Sequence, residues 1–161
     1  MDTSAFFDYP DQQPGAQAET EVLLAKWSDE DWAKLLAYTS VRRARPSEVV
    51  LQEGETERAI YFVTSGTLEI LIGSTMDRTT RRLSLVKTGS VVGEFAFFDA
   101  RPRSAMARAL TDCELLRLGN DAFDVFAARE PILARDLLFD LGRILSLRLR
   151  QANAIIGQWL R

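Results

Sequence analysis

Between Thr39 and Gly119 the chain is written in short apolar or β-branched segments stopped by turn-forming residues, and this punctuation limits the fold more than any other feature. VRRARP, EVVLQ, AIYFVTSGTLEILIG and RRLSLV are followed by an apolar tract after Asp112, with Gly54, Gly66, Gly73 and Gly89 at the breaks. Strand-sized pieces punctuated in this way pair into antiparallel sheet. In TLEILIG, Leu68, Ile70 and Ile72 fall on one face and Glu69 and Leu71 on the other, so simple alternation holds only in part. Short antiparallel strands that close on one another bury such faces and remove exposed edges, which predicts a small β-barrel or roll over residues 39–119.

Helical signals flank this region. Residues from Ala18 favour helix, and WSDEDWAKLLAY marks a clearer start. Ser28 stands as the cap, Asp31 at the third helical position, and Trp27 and Trp32 at the two staple positions. This helix is expected to end near Tyr38, so helices occupy 18–38. The stretch before them, residues 1–17, mixes Pro10, Pro14 and Gly15 with polar residues and reads as a flexible N-terminal arm. After Gly119, Asn120 is a candidate cap and Pro131 suits the first turn of a following helix. Leu138, Leu141, Leu145, Leu149, Ala152, Ile156 and Trp159 then recur at helical spacing and define one apolar stripe. Gly142 and Gly157 each weaken helix by about 1 kcal/mol relative to alanine, so a bend or break is expected at either. Leu137, Ile144, Leu147, Ile155 and Leu160 lie off the stripe, an excess that leaves open a second partner surface for another copy of the chain. Residues 18–161 thus form a single domain with C-terminal helices over 120–161.

A chain of 161 residues has room for one domain with a real core, and 47% hydrophobic with 27% charged residues is ordinary globular composition. The net charge of −3, with no histidine, argues against non-specific duplex binding. Basic residues in VRRARP and DRTTRR lack interleaved aromatics and a recognition helix, and read as solvated faces; direct nucleic-acid binding is not expected. Cys113 is alone, so an intrachain disulfide and a zinc site of cysteines and histidines are both excluded, and a reducing, cytoplasmic location is expected. No signal peptide is seen, and no run of about 18 apolar residues marks a membrane span.

The candidate site is VGEFAFFDARPRSA, from Val92 to Ala105. Gly93 permits close backbone approach or a dihedral closed to other residues. EFAFF can form one short helical turn whose first amides have no partner within the helix. Arg103 offers a positive fork matched to two phosphate oxygens, and Glu94, wrong for phosphate, is right for accepting a sugar hydroxyl proton. On these residues alone a solvated surface turn, a catalytic loop and an anion or sugar-phosphate cradle all stay open.

The segment GEFAFFDARPRSA resembles, in its spacing, the phosphate-binding cassette of cyclic nucleotide-binding domains, the β-roll module of catabolite-activator-type regulators, cyclic-nucleotide-dependent kinase regulatory subunits and gated channels. Gly93, Glu94, Phe95, Ala96, Arg103, Ser104 and Ala105 fill its pattern. VVLQEGETERAIYFVTSGTLEIL and TDCELLRLGNDAFDVFAAREP resemble the flanking parts, so the likeness covers about residues 39 to 150. It implies an α+β fold: a double-stranded antiparallel β-roll, jelly-roll-like, flanked by N-terminal and C-terminal helices. It also implies a regulatory module for a purine 3′,5′-cyclic monophosphate, cyclic AMP favoured over cyclic GMP. Arg103 would then bind the cyclic phosphate and Glu94 the ribose 2′-hydroxyl, with amides near Phe95 and Ala96 on phosphate, Ser104 on phosphate or base, and Ala105 leaving space. Asn153, Gln158 and Trp159 are candidates for a lid over the base. No metal, cofactor or catalytic residue is implied, and enzyme activity is not expected. Two alternatives remain open: Arg103 and Glu94 pair with each other in a pocket that has lost its ligand, or the roll serves as a ligand-independent interaction or dimerisation domain. A homodimer or an effector protein would be engaged through the C-terminal helix.

Overall fold

The computed structural model describes residues 27–73 and 80–159, with side chains beyond Arg150 described only at some positions. The arm over 1–17 and the helix expected from Ala18 lie outside the described residues.

The first described helix, α1 (Asp29–Leu36), begins where the sequence places it. The Asp31 amide donates to Ser28 Oγ and the Ser28 amide donates to Asp31 Oδ2 at 3.0 Å, a reciprocal cap. Trp27 and Trp32 meet edge to face at 5.3 Å. The helix ends at Leu36, with Ala37 as its cap, close to the expected Tyr38. Amides of Tyr38 and Thr39 tighten onto Leu35 and Leu36 carbonyls, and the Thr39 hydroxyl also donates to Leu36.

Two four-stranded antiparallel sheets follow. The strands are β1 (Ser40–Ala44), β2 (Val49–Leu51), β3 (Ala59–Ser65), β4 (Thr67–Gly73), β5 (Thr80–Lys87), β6 (Val91–Val92), β7 (Met106–Ala109) and β8 (Cys113–Gly119). One sheet runs β1-β8-β3-β6 and the other β2-β7-β4-β5, which is the expected β-roll. In the first, Tyr61 lies opposite Arg117 and also opposite Val92. Gly66 joins β3 to β4 with φ +92, and a Cβ there would lie 2.3 Å from the Asp112 carbonyl oxygen, so the turn takes only glycine.

β3 is buried over five consecutive residues because its two faces enter different cores. Ile60 and Phe62 pack with Trp32, Leu35, Leu118, Phe126 and Leu137 beneath the helices. Ala59, Tyr61 and Val63 pack with Leu68, Val86, Ala107 and Leu115 inside the roll. β4 departs from alternation for two reasons. A register shift against β5 falls between Ile70 and Leu71, and buried Glu69 is held by Arg108, whose Nε donates at 2.7 Å.

The C-terminal helices are α3 (Asn120–Arg129) and α4 (Pro131–Trp159). Asn120 does not cap α3. β8 runs into Gly119, which takes the cap position, and the Asn120 amide is tied to the Arg58 carbonyl at 2.9 Å, making Asn120 the first helical residue. α4 passes through Gly142 and Gly157 without a break. Its buried face is Ala134, Leu137, Leu141 and Ile144, so the stripe drawn from the sequence is displaced around the helix. Leu137 and Ile144 are core, whereas Leu149 and Ile156 are exposed. Two adjacent apolar faces compete in that sequence, and the roll selects the one with the smaller Ala134 at its edge. Among the described residues, no helix is long and apolar enough to cross a membrane.

Candidate functional site

The loop after β6 turns at Gly93, whose φ of +83 belongs to glycine. A Cβ at Gly93 would stand 2.4 Å from Arg103 Nη1 and 2.9 Å from the Ala59 carbonyl oxygen. Its absence lets Arg103 close in, with Nη1 donating to the Gly93 carbonyl at 2.8 Å. The short helix α2 (Glu94–Asp99) follows at once, as EFAFF predicts. Ala96 and Phe97 face inward, while Phe95 and Phe98 are exposed. Beyond α2, the chain is fastened to the β2–β3 turn: the Arg103 amide donates to Glu55 and the Gly54 amide donates to the Arg103 carbonyl.

Arg103 is 4% exposed, and its guanidinium is surrounded by acceptors from β3 and the preceding loop. Nη2 donates to the Ala59 carbonyl at 2.8 Å and lies 3.4 Å from Glu57 Oε2. Nε is buried and has no hydrogen-bond partner. Glu57 also accepts from Arg117 Nε at 2.8 Å and from the Tyr61 hydroxyl at 2.9 Å. The guanidinium carbons of Arg42 and Arg103 lie 5.9 and 6.0 Å from the centre of the Tyr61 ring. Burial pushes the Glu57 carboxyl up, but hydrogen bonds from Arg117 and Tyr61 and the charges of Arg117 and Arg103 outweigh it and hold it below the usual range. Burial, then the bond to Glu57, pushes the Tyr61 phenol up; the bond to Glu57 likewise raises Arg117.

Glu94 is 6% exposed and is met from the far end of the chain. Arg148 on α4 donates through Nη1 to Glu94 Oε1 and through Nη2 to the Val91 carbonyl at 2.9 Å. The expected alternative of an Arg103–Glu94 pair is therefore replaced by two separate pairs, Arg103 with Glu57 and Glu94 with Arg148. Arg103 meets the Ala59 carbonyl at the start of β3, the Gly93 carbonyl and the Glu57 carboxylate just ahead of β3, while Glu94 is met by Arg148 from α4.

Gly93, Glu94, Phe95 and Ala96 share one turn and helix, and Arg103, on the segment beyond α2, reaches back to the Gly93 carbonyl. Ser104 follows exposed and Ala105 half-buried. Asn153 is exposed on α4, and the side chains of Gln158 and Trp159 lie outside the described residues. Glu57, Arg117 and Arg148 escaped the sequence reading. Glu57 sat inside the quoted GETERAIYFV segment, but only the β3–β8 register brings Arg117 to it. An open apolar groove of about 350 Å³ between α3 and α4, lined by Phe123, Ala127, Leu138 and Phe139 among others, includes none of the cassette residues. Among the described residues no three metal-ligating side chains come together.

Comparison with known proteins bears on the fold and the family. The chain is 31% identical over 118 residues to the cyclic AMP receptor protein of Thermus thermophilus, covering 73% of this chain and 52% of that protein. The crystal structure of the Thermus thermophilus catabolite activator protein matches with a TM-score of 0.73 at 27% identity, over 84% of this chain and 61% of that one. A cyclic nucleotide-binding domain from Methylobacillus flagellatus shares the fold, with a TM-score of 0.77 at 23% identity, over 84% of this chain and 76% of that one. The chain spans about half or less of the length of the first curated relatives it matches. The profile of the cyclic nucleotide-binding domain covers residues 41–130, more than half of the 161 residues, and the chain belongs to that family.

Proposed function

We propose that this domain is a regulatory module that binds a purine 3′,5′-cyclic monophosphate, cyclic AMP in preference to cyclic GMP, and couples the ligand to the position of α4. The observation that carries this is Arg103: a buried guanidinium whose Nε–H has no acceptor, beside a glycine with no room for a side chain. A buried donor without a partner is costly, and a phosphate oxygen supplies the acceptor. In this assignment Arg103 takes the cyclic phosphate with amides of Phe95 and Ala96, Glu94 reads the ribose 2′-hydroxyl, Ser104 adds a hydroxyl and Ala105 leaves room. Gly93 sets the approach. The Thermus relative named for cyclic AMP supports adenine over guanine. Asn153, Gln158 and Trp159 remain the lid candidates on α4. The assignment is of binding rather than catalysis, in a cytoplasmic setting that suits the buried free thiol of Cys113. Exposed Leu149 and Ile156 support a protein partner, a second copy or an effector, on α4.

One observation favours the second reading, an interaction domain that works without ligand. Arg103 Nη1 and Nη2 already have protein acceptors, and Glu94 already has Arg148. Calorimetry with cyclic AMP, cyclic GMP and 5′-AMP separates the two. Binding of cyclic AMP is expected, weakened by about 2–5 kcal/mol in Arg103→Ala. Silence from both cyclic ligands at millimolar concentration sinks the proposal in favour of the interaction domain.

A further inference from the structure

Arg148 lies 54 residues from Glu94 in sequence, yet its guanidinium is anchored at two points of the cassette, the Glu94 carboxylate and the Val91 carbonyl. Its side chain is 19% exposed and that of Glu94 8%, so the pair is largely withdrawn from water. A carboxylate this deep is stable as an anion only with a counter-charge or several donors. Arg148 provides that charge on a rigid helix, and the double anchor prevents the guanidinium from rotating aside without leaving both acceptors.

We propose that Arg148 competes with the ligand for Glu94: the guanidinium and the ribose 2′-hydroxyl exclude one another at this carboxylate, so Arg148 sets the affinity and ribose selectivity of the site. The inference rests on the assignment of Glu94 as ribose reader. A sugar hydroxyl is a neutral donor and a weaker partner for a carboxylate than a guanidinium. The exchange therefore costs part of the ion pair, offset by the phosphate and base contacts made elsewhere. Since Arg148 belongs to α4, its release frees that helix, and by reciprocity whatever holds α4 against the roll lowers ligand affinity. Arg148 acts through Glu94 and is a positioning residue.

Calorimetry with cyclic AMP and its 2′-deoxy analogue on the wild type, Arg148→Gln and Arg148→Lys tests the competition. Arg148→Gln is expected to bind cyclic AMP roughly five- to tenfold tighter. Its gain for the 2′-deoxy analogue, which makes no demand on Glu94, is expected to be small. Arg148→Lys should fall between, keeping the charge but unable to span both acceptors. A folded Arg148→Gln protein that binds cyclic AMP no better than wild type, or gains equally for both ligands, overturns the proposal. Amide hydrogen exchange on nucleotide-free protein examines the same contact without ligand. Residues 141–150 should exchange faster in Arg148→Gln, and unchanged protection also overturns it. If exchange rises while neither protein binds any cyclic nucleotide, both the binding function and the competition fall. If wild type binds and the glutamine variant gains nothing, only the competition falls.

Discussion

Glu57 shows how much of this site depends on one carboxylate outside the recognised cassette. It receives Arg117, Tyr61 and the edge of Arg103, and through Arg103 it reaches the turn at Gly93. Because its folded-state value lies below the unfolded one, the ionised form stabilises the fold. That stability is fully present above the unfolded value of about 4.3 and is lost as pH falls through the lower folded value. Thermal melts between pH 7 and pH 3 should therefore show the wild type losing more stability below about pH 4.3 than Glu57→Gln does. Parallel curves for the two proteins would remove Glu57 from the account. Side-chain exposure of 35% screens the pair, so the difference is expected to be modest.

At the scale of elements, α4 separates what spacing can predict from what packing decides. Its start at Pro131 and its helical period were legible, because both are local properties of the sequence. Which apolar face meets the roll was not, since the stripe through Leu138 and Leu149 and the face through Leu137 and Ile144 are equally periodic. The same division runs through the site. Gly93, the α2 turn and Arg103 are contiguous and could be read from spacing, whereas Arg117 and Arg148 arrive by strand register and helix docking. Truncation distinguishes the two faces: Leu137→Ala should cost about 2–5 kcal/mol in denaturant unfolding and leave a cavity. Leu149→Ala, 62% exposed, should stay within about 0.5 kcal/mol. A reversed order would mean that α4 packs in solution on its other face.

For the whole molecule, β3 matters most because its two faces serve both cores. Helices and roll then share one wall and should unfold together. Far-ultraviolet circular dichroism and the fluorescence of Trp27, Trp32 and Trp159 should give coincident thermal transitions. Separate midpoints would show that the helical layer melts by itself. The pairing of β1 and β3 with β8 also bears on synthesis. Ser40–Ala44 and Ala59–Ser65 both hydrogen-bond to Cys113–Gly119, the last strand among the described residues. Until that strand leaves the ribosome, β1 has no mate and one flank of β3 stands open. The sheet of β1, β8, β3 and β6 therefore cannot close until residues 113–119 are made, and a product truncated ahead of Cys113 would emerge as an unshielded, self-associating strand surface instead of a smaller working domain.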